Sequence, residues 1–189
     1  MAASNGVDTT VPIRLVPNPY LIDVVAEIEV ASRSLLRKRD RDAQRILYVC
    51  EPIREFAEQS GEHWGYDEFE ALRYFFRNVN RLTLRVDAIV VRPHPADPPG
   101  KYQHVLDEFP MLPIALSTSS LAGDIATADL VVGCETMALV VALAAGRRVI
   151  SCIPDGGRPC SLPHHNIEHL ARFVGAGERA SLETPPRPV

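Results

Sequence analysis

Short continuous apolar runs alternate along the chain with longer stretches in which apolar residues recur every three or four positions. The runs are 11–16, Ile46-Leu47-Tyr48-Val49-Cys50, Ala88-Ile89-Val90-Val91, 113–116, Leu130-Val131-Val132 and Val149-Ile150-Ser151-Cys152-Ile153. Each is short for a helix and bounded by polar or turn-forming residues, so each predicts a buried strand. The spacing between them predicts helices over 21–37, 66–82, 101–109, 121–126, 135–145 and 166–173. Val24, Val25, Ile28, Leu35 and Leu36 mark the apolar face of the first, and Phe69, Leu72, Phe75, Phe76 and Val79 that of the second. Pro17-Asn18-Pro19 closes the first strand, Thr118-Ser119-Ser120 supplies caps for the helix entered at Leu121, and Gly146 stops the helix before it. Strand–helix alternation of this kind predicts an α/β domain: a doubly wound, Rossmann-like parallel sheet with helices on both faces. Residues 1–10 are small and polar and 176–189 are proline-rich, so both are expected to be disordered tails around one domain over 11–175. The charged run 37–42 reads as a solvated linker.

The unusual polar residues collect on the carboxyl ends of these strands, where doubly wound sheets bind their ligands. Arg92-Pro93-His94-Pro95 follows a buried strand, and its prolines hold the backbone around His94 out of a helix. An imidazole held beside a guanidinium suits a phosphate, a carboxylate or proton transfer near neutral pH. In Gly133-Cys134-Glu135-Thr136 a strand enters a glycine and a helix starts at once, so amide N–H groups and the Thr136 hydroxyl form an anion site. A helix terminus contributes only roughly 0.3–2 kcal/mol, so a partner cation is required, and Arg92 is the candidate. Glu135 has two readings: an acceptor for ribose or sugar hydroxyls, or a carboxylate that merely favours the helix start. The crevice between these two segments is the expected ligand site.

Two other segments carry alternatives. Glu51-Pro52-Ile53-Arg54-Glu55 is either an acid/base pair or a salt-bridged helix start. The loop 154–165, which contains His164 and His165, is either a lid or base-contacting loop or a solvated connector. Adjacent histidines point in different directions, and no further ligand stands at zinc spacing, so no metal site is expected.

Composition narrows the class. The 189 residues are 46% hydrophobic and 23% charged, with a formal charge of −4. Such a chain reads as a soluble domain large enough to bury its own core, without the basic surface that nucleic acid requires. Lys38 and Lys101 are the only lysines. None of Cys50, Cys134, Cys152 and Cys160 stands in a CxxC pattern, and they read as reduced, buried small hydrophobes. The amino terminus lacks a signal-peptide pattern, and the longest apolar stretch, 137–145, is too short to span a bilayer, so a cytoplasmic location is expected. The sequence contains no strand-borne GxGxxG, no Walker motif and no GxSxG elbow.

Four segments together resemble a known superfamily: Arg92-Pro93-His94-Pro95, then 117–124, then Ala128-Asp129-Leu130-Val131-Val132-Gly133-Cys134-Glu135-Thr136, then Ala144-Ala145-Gly146-Arg147-Arg148-Val149-Ile150. They are similar to the C-terminal half of GT-B glycosyltransferases, a group that includes the non-hydrolysing UDP-N-acetylglucosamine 2-epimerases and the bacterial sialyl- and Kdo-transferases. Val16-Pro17-Asn18-Pro19 is similar to the interdomain turn that opens this half. The resemblance spans roughly 46–170 and implies a Rossmann-like half that holds a nucleotide-sugar donor, with no further cofactor, in bacterial polysaccharide biosynthesis. It places His94 on the donor phosphate, Glu135 and Thr136 at the diphosphate- or ribose-binding helix start beside Gly133, and Ser119 and Ser120 along the base pocket. The His-Pro pair points to a CMP-sugar, and the Glu-Thr helix start suits a UDP-sugar equally. It also implies an N-terminal acceptor domain, which this sequence does not contain. The chain is then a fragment, the partner of a separate acceptor domain or of a second copy, or a module without catalysis. An epimerase-like role and a non-catalytic nucleotide-binding module are the alternatives, and no residue set is assigned to catalysis.

Overall fold

The computed structural model describes residues 16–35 and 43–175. The tails, the charged run 37–42 and all of the expected first strand except Val16 lie outside the described residues. Helix α1 spans Pro19–Leu35 and is followed by strand β1, Gln44–Val49. Helices α2 (Ile53–Ser60) and α3 (Glu68–Asn78) lead through a 3-10 turn, Val79–Arg81, to β2 (Val86–Arg92). The short helix α4 (Gln103–Leu106), β3 (Ile114–Leu116) and α5 (Leu121–Thr127) come next. Then follow β4 (Leu130–Gly133), α6 (Met137–Ala144), β5 (Arg148–Ser151) and β6 (Glu168–His169).

All six strands pair in parallel, in the order β3-β2-β1-β4-β5-β6. The chain builds outward from β1 to β3, then returns to place β4 on the other side of β1. The strand order therefore reverses between β1 and β4, which is the Rossmann arrangement. Alternating side chains of one strand feed two cores, as a period of two requires. Ile46, Tyr48, Leu130 and Val132 pack with α3 through Leu72, Phe75 and Phe76, whereas Leu47, Val49 and Val131 pack with α1, α5 and α6 through Ile28, Ile125 and Leu139. Among the described residues no helix is long and apolar enough to cross a membrane.

The expected helix over 66–82 is shorter at its start because Asp67 caps it. The Asp67 carboxylate accepts from the N–H groups of Phe69 and Glu70 while Glu70 accepts from that of Asp67, a reciprocal capping box. The segment after Glu51 takes the helix-start reading and forms a helix in its own right, α2, ended by Gly61 in the left-handed region. The expected last helix gives up its first turn: Glu168 and His169 add a sixth strand against β5, and only 170–175 are helical. A two-residue strand has no periodicity to read. Its place is set by register, with Glu168 opposite Ile150, and by the Glu168 carboxylate, which accepts two bonds from Arg148.

Candidate functional site

A cleft of about 330 Å³ opens at the carboxyl ends of β1 and β2, beside the point where the strand order reverses. Its floor is Val49 and Cys50, at the end of β1. One wall is Arg92-Pro93-His94-Pro95, and the opposite wall is the first two turns of α6, with Thr136, Met137, Val140 and Val141. The start of α1 closes the side through Asn18, Tyr20 and Leu21, and Leu121 completes it. Arg92, His94 and Thr136 are thus brought to one cleft by three separate segments.

The His94 wall is tightly organised. The Asp97 N–H donates to the His94 carbonyl (2.9 Å), closing a turn with Pro95 in the position where its fixed φ fits. The His94 N–H donates to Asp97 Oδ2 (2.7 Å), and the Ala96 N–H donates to His94 Nδ1 (3.2 Å). An amide can only donate, so Nδ1 must carry a lone pair, and the proton of the neutral imidazole sits on Nε2. The turn satisfies the N–H, C=O and Nδ1 of His94, which lines the cleft, and Nε2–H is the donor that it does not use. The ring also stands edge-on to Phe56 of α2, with centroids 6.5 Å apart.

Arg92 is less available than its sequence position implies. Its Nη1 donates to Asp124 (2.7 Å), to the Ser119 carbonyl (2.7 Å) and to Ser117 Oγ (3.2 Å). Ser117 also donates to Asp124 (2.5 Å), a side chain only 6% exposed. The guanidinium therefore clamps the loop before α5 while it lines the cleft. Thr136 is the N-cap of α6, its hydroxyl accepting from the Ala138 N–H.

The remaining candidates sit elsewhere. Ser120 caps α5 by accepting from the Gly123 N–H, and Ser119 offers its carbonyl to Arg92; neither lines the cleft. Gly133 is packed at the end of β4, where an added Cβ would lie 3.1 Å from the Val49 carbonyl oxygen. Glu135 is paired with Arg158 and accepts from the Ser161 N–H (3.1 Å), so neither carboxylate oxygen turns toward the cleft. His164 caps a local turn, its carbonyl accepting from the Ile167 N–H, well along the loop from the cleft.

The amides expected to hold a ligand anion are already filled. Glu51 Oε1 accepts from the N–H groups of Cys134 and Glu135, both at 2.9 Å. Burial pushes the Glu51 carboxyl up to about 7 from an ordinary 4.5, against the pull of those amides. The internal Glu51 carboxyl thus takes the acceptor position in the turn between β4 and α6. Of the two readings left open for the Glu51–Glu55 segment, Glu51 serves the β4–α6 junction, and Arg54 and Glu55 form ion pairs with Glu68 and Lys101.

Sequence patterns missed three parts of this arrangement: the α1 wall, the Glu51 plug and the Asp97 clasp of His94. The third had a local signal, an aspartate three residues beyond a histidine across a proline turn. The other two join residues far apart in the chain and had none.

No family model matches the chain, and no curated protein does. Among solved structures it is similar to the Thermosulfurimonas dismutans protein KpsC, β-Kdo 2,7 transferase, with a TM-score of 0.45 and 20% identity over 82% of this chain and 47% of that one. It is also similar to the Thermosulfurimonas dismutans KpsC β-Kdo 2,4 transferase, with a TM-score of 0.47 and 12% identity over 82% of this chain and 50% of that one. Both are likenesses of fold, and the chain spans about half the length of each structure it matches.

Proposed function

We propose that this chain is the donor-binding half of a GT-B-type glycosyltransferase, holding a nucleotide-sugar in the cleft between His94 and α6. The observation that carries the reading is the convergence of His94, Arg92 and Thr136 on one cleft beside the strand-order reversal. Its volume falls within the range of small-ligand sites. The ligand's phosphate sits at the His94 end of the cleft, which Arg92 also lines. Its less polar body lies along Leu21, Met137, Val140 and Val141.

No carboxylate lines this cleft among the described residues. Groups that accept or deliver protons at a sugar then come from a second body, an acceptor domain or a partner chain, and the isolated chain binds without turning over. An epimerase needs acids and bases inside the cleft and fits less well.

Thermal shifts with CMP, UDP, GDP and ADP test the reading. A nucleotide at a hundred times its Kd stabilises the fold by about 2.7 kcal/mol. His94→Ala is expected to weaken binding by about tenfold, the worth of one hydrogen bond to a charged group. Absence of a shift with all four nucleotides rejects donor binding.

A further inference from the structure

We infer that Asp97, anchored by Lys101 and Tyr102, is the positioning residue of this cleft: it holds His94 so that only an Nε2–H donor faces the ligand. The inference rests on the donor-binding reading for its consequence, and on geometry alone for its content.

Asp97 is the centre of the turn that carries His94. Its Oδ2 accepts both the His94 N–H (2.7 Å) and the Tyr102 hydroxyl (3.0 Å), and its Oδ1 accepts from Lys101 Nζ (2.8 Å). The Asp97 side chain is 1% exposed and that of Lys101 5%. The other two Lys101 hydrogens have partners in Glu55 of α2 (2.8 Å) and Glu68 of α3 (2.9 Å). Glu68 in turn accepts from the backbone N–H and Nε of Arg54. One ammonium thus ties the loop after β2 to the first turns of two helices, using all three of its donors.

Such a cluster is a poor way to gain stability. Desolvating a lysine and the two buried carboxylates, Asp97 and Glu68, offsets most of their attraction, and an apolar packing of the same volume does as well or better. What directional charge-assisted bonds do fix is geometry. Here the geometry they fix is that of the loop that carries His94 to the cleft. If Asp97 lets go, the His94 N–H and the turn lose their second closure. The Ala96 N–H then no longer sits against Nδ1, and the imidazole is free to exchange tautomers.

The test is the nitrogen–proton correlation spectrum of the His94 imidazole in wild type, Asp97→Asn and Tyr102→Phe, with CMP and UDP affinities measured alongside. Wild type is expected to show the Nε2–H tautomer. Asp97→Asn is expected to show a tautomer mixture and to weaken nucleotide binding by about tenfold. Tyr102→Phe, which removes one bond and keeps the Asp97 charge, is expected to give the same changes at about two- to threefold. Because Asp97 acts through His94, Asp97→Asn added to His94→Ala is expected to cost no further affinity. A folded Asp97→Asn protein with an unchanged imidazole spectrum overturns the inference, as do losses that multiply in the double variant. Should Asp97→Asn not fold, the spectrum of Tyr102→Phe decides on the same terms. If wild type binds neither nucleotide, the donor reading falls, and the tautomer spectra still decide the role of Asp97.

Discussion

At the carboxyl ends of β1 and β2 the chain leaves a cleft lined by His94, Arg92 and Thr136, whereas the polar groups that follow β4 are paired within the protein itself. On the open side, His94, Arg92 and Thr136 line the cleft together with α1 and α6. On the filled side, Glu51 occupies the amides of the turn between β4 and α6, and Glu135 is paired with Arg158. Arg158 lies over the Trp64 ring at 3.4 Å from its centroid, its N–H donates to the Trp64 carbonyl, and its Nη1 bonds Glu62. Gly65 and Gly156 meet there so closely that a Cβ on Gly65 would stand 2.6 Å from the Gly156 carbonyl oxygen. Both sides carry the residue types of a ligand site. They differ in whether a partner of opposite character lies elsewhere in the chain: amides at a helix start hold a side-chain carboxylate as readily as a ligand phosphate.

If the filled side is structural, damage there costs stability and leaves nucleotide affinity alone. The largest effect is expected at Glu51. Unfolded, this carboxyl ionises near 4.5, and folded it keeps its proton to about 7. The folded state binds more protons in that window, so its stability falls as pH rises from about 4.5 to 7 and levels off above. The shift corresponds to about 3 kcal/mol. Glu51→Gln keeps an acceptor for the Cys134 and Glu135 amides and removes that loss. Urea denaturation at pH 5 and pH 8 is expected to show a smaller pH difference in the variant, and equal differences in the two proteins would refute the assignment.

Arg158→Leu comes next. It leaves Glu135, whose side chain is 6% exposed, without its cation, at a cost of about 2 kcal/mol. Chemical denaturation measures this, and nucleotide titration is expected to show an unchanged Kd. A Kd that rises while the fold stays intact makes the loop 154–161 part of the site and dissolves the contrast between the two sides.

The smallest effect is placed at Thr136, which belongs to both regions. Thr136→Val removes the cap on Ala138 at about 1 kcal/mol. Because Thr136 also lines the cleft, a fall in nucleotide affinity should accompany the loss of stability. Lost stability with full affinity would reduce Thr136 to a cap.

Much of the frame was legible from the chain alone. The runs at Ile46, Ile89, Leu130 and Val149 became strands within a few residues of their expected bounds, and Ser120 caps α5 as expected, whereas α6 starts two residues later than expected, with Thr136 as its cap. Where the frame was misjudged, the element was too short to carry a period, as with β6. The site divided differently. That Arg92-Pro93-His94-Pro95 faces a cleft follows from two prolines after a buried strand. That Glu135 does not face it depends on Arg158, 23 residues on, whose position is set by Trp64 and Glu62 in another loop.

Periodicity and capping are local, so the sequence by itself determined the order of strands and helices, the parallel doubly wound class and the strand ends as the place to look for a ligand. Pairing is not local. The carboxylate that fills the turn between β4 and α6 comes from 83 residues away in the chain, and the lysine that steadies the His94 turn reaches Glu55 across 46. Only the tertiary structure could decide which strand-end polar groups find partners within the protein and which remain for a ligand.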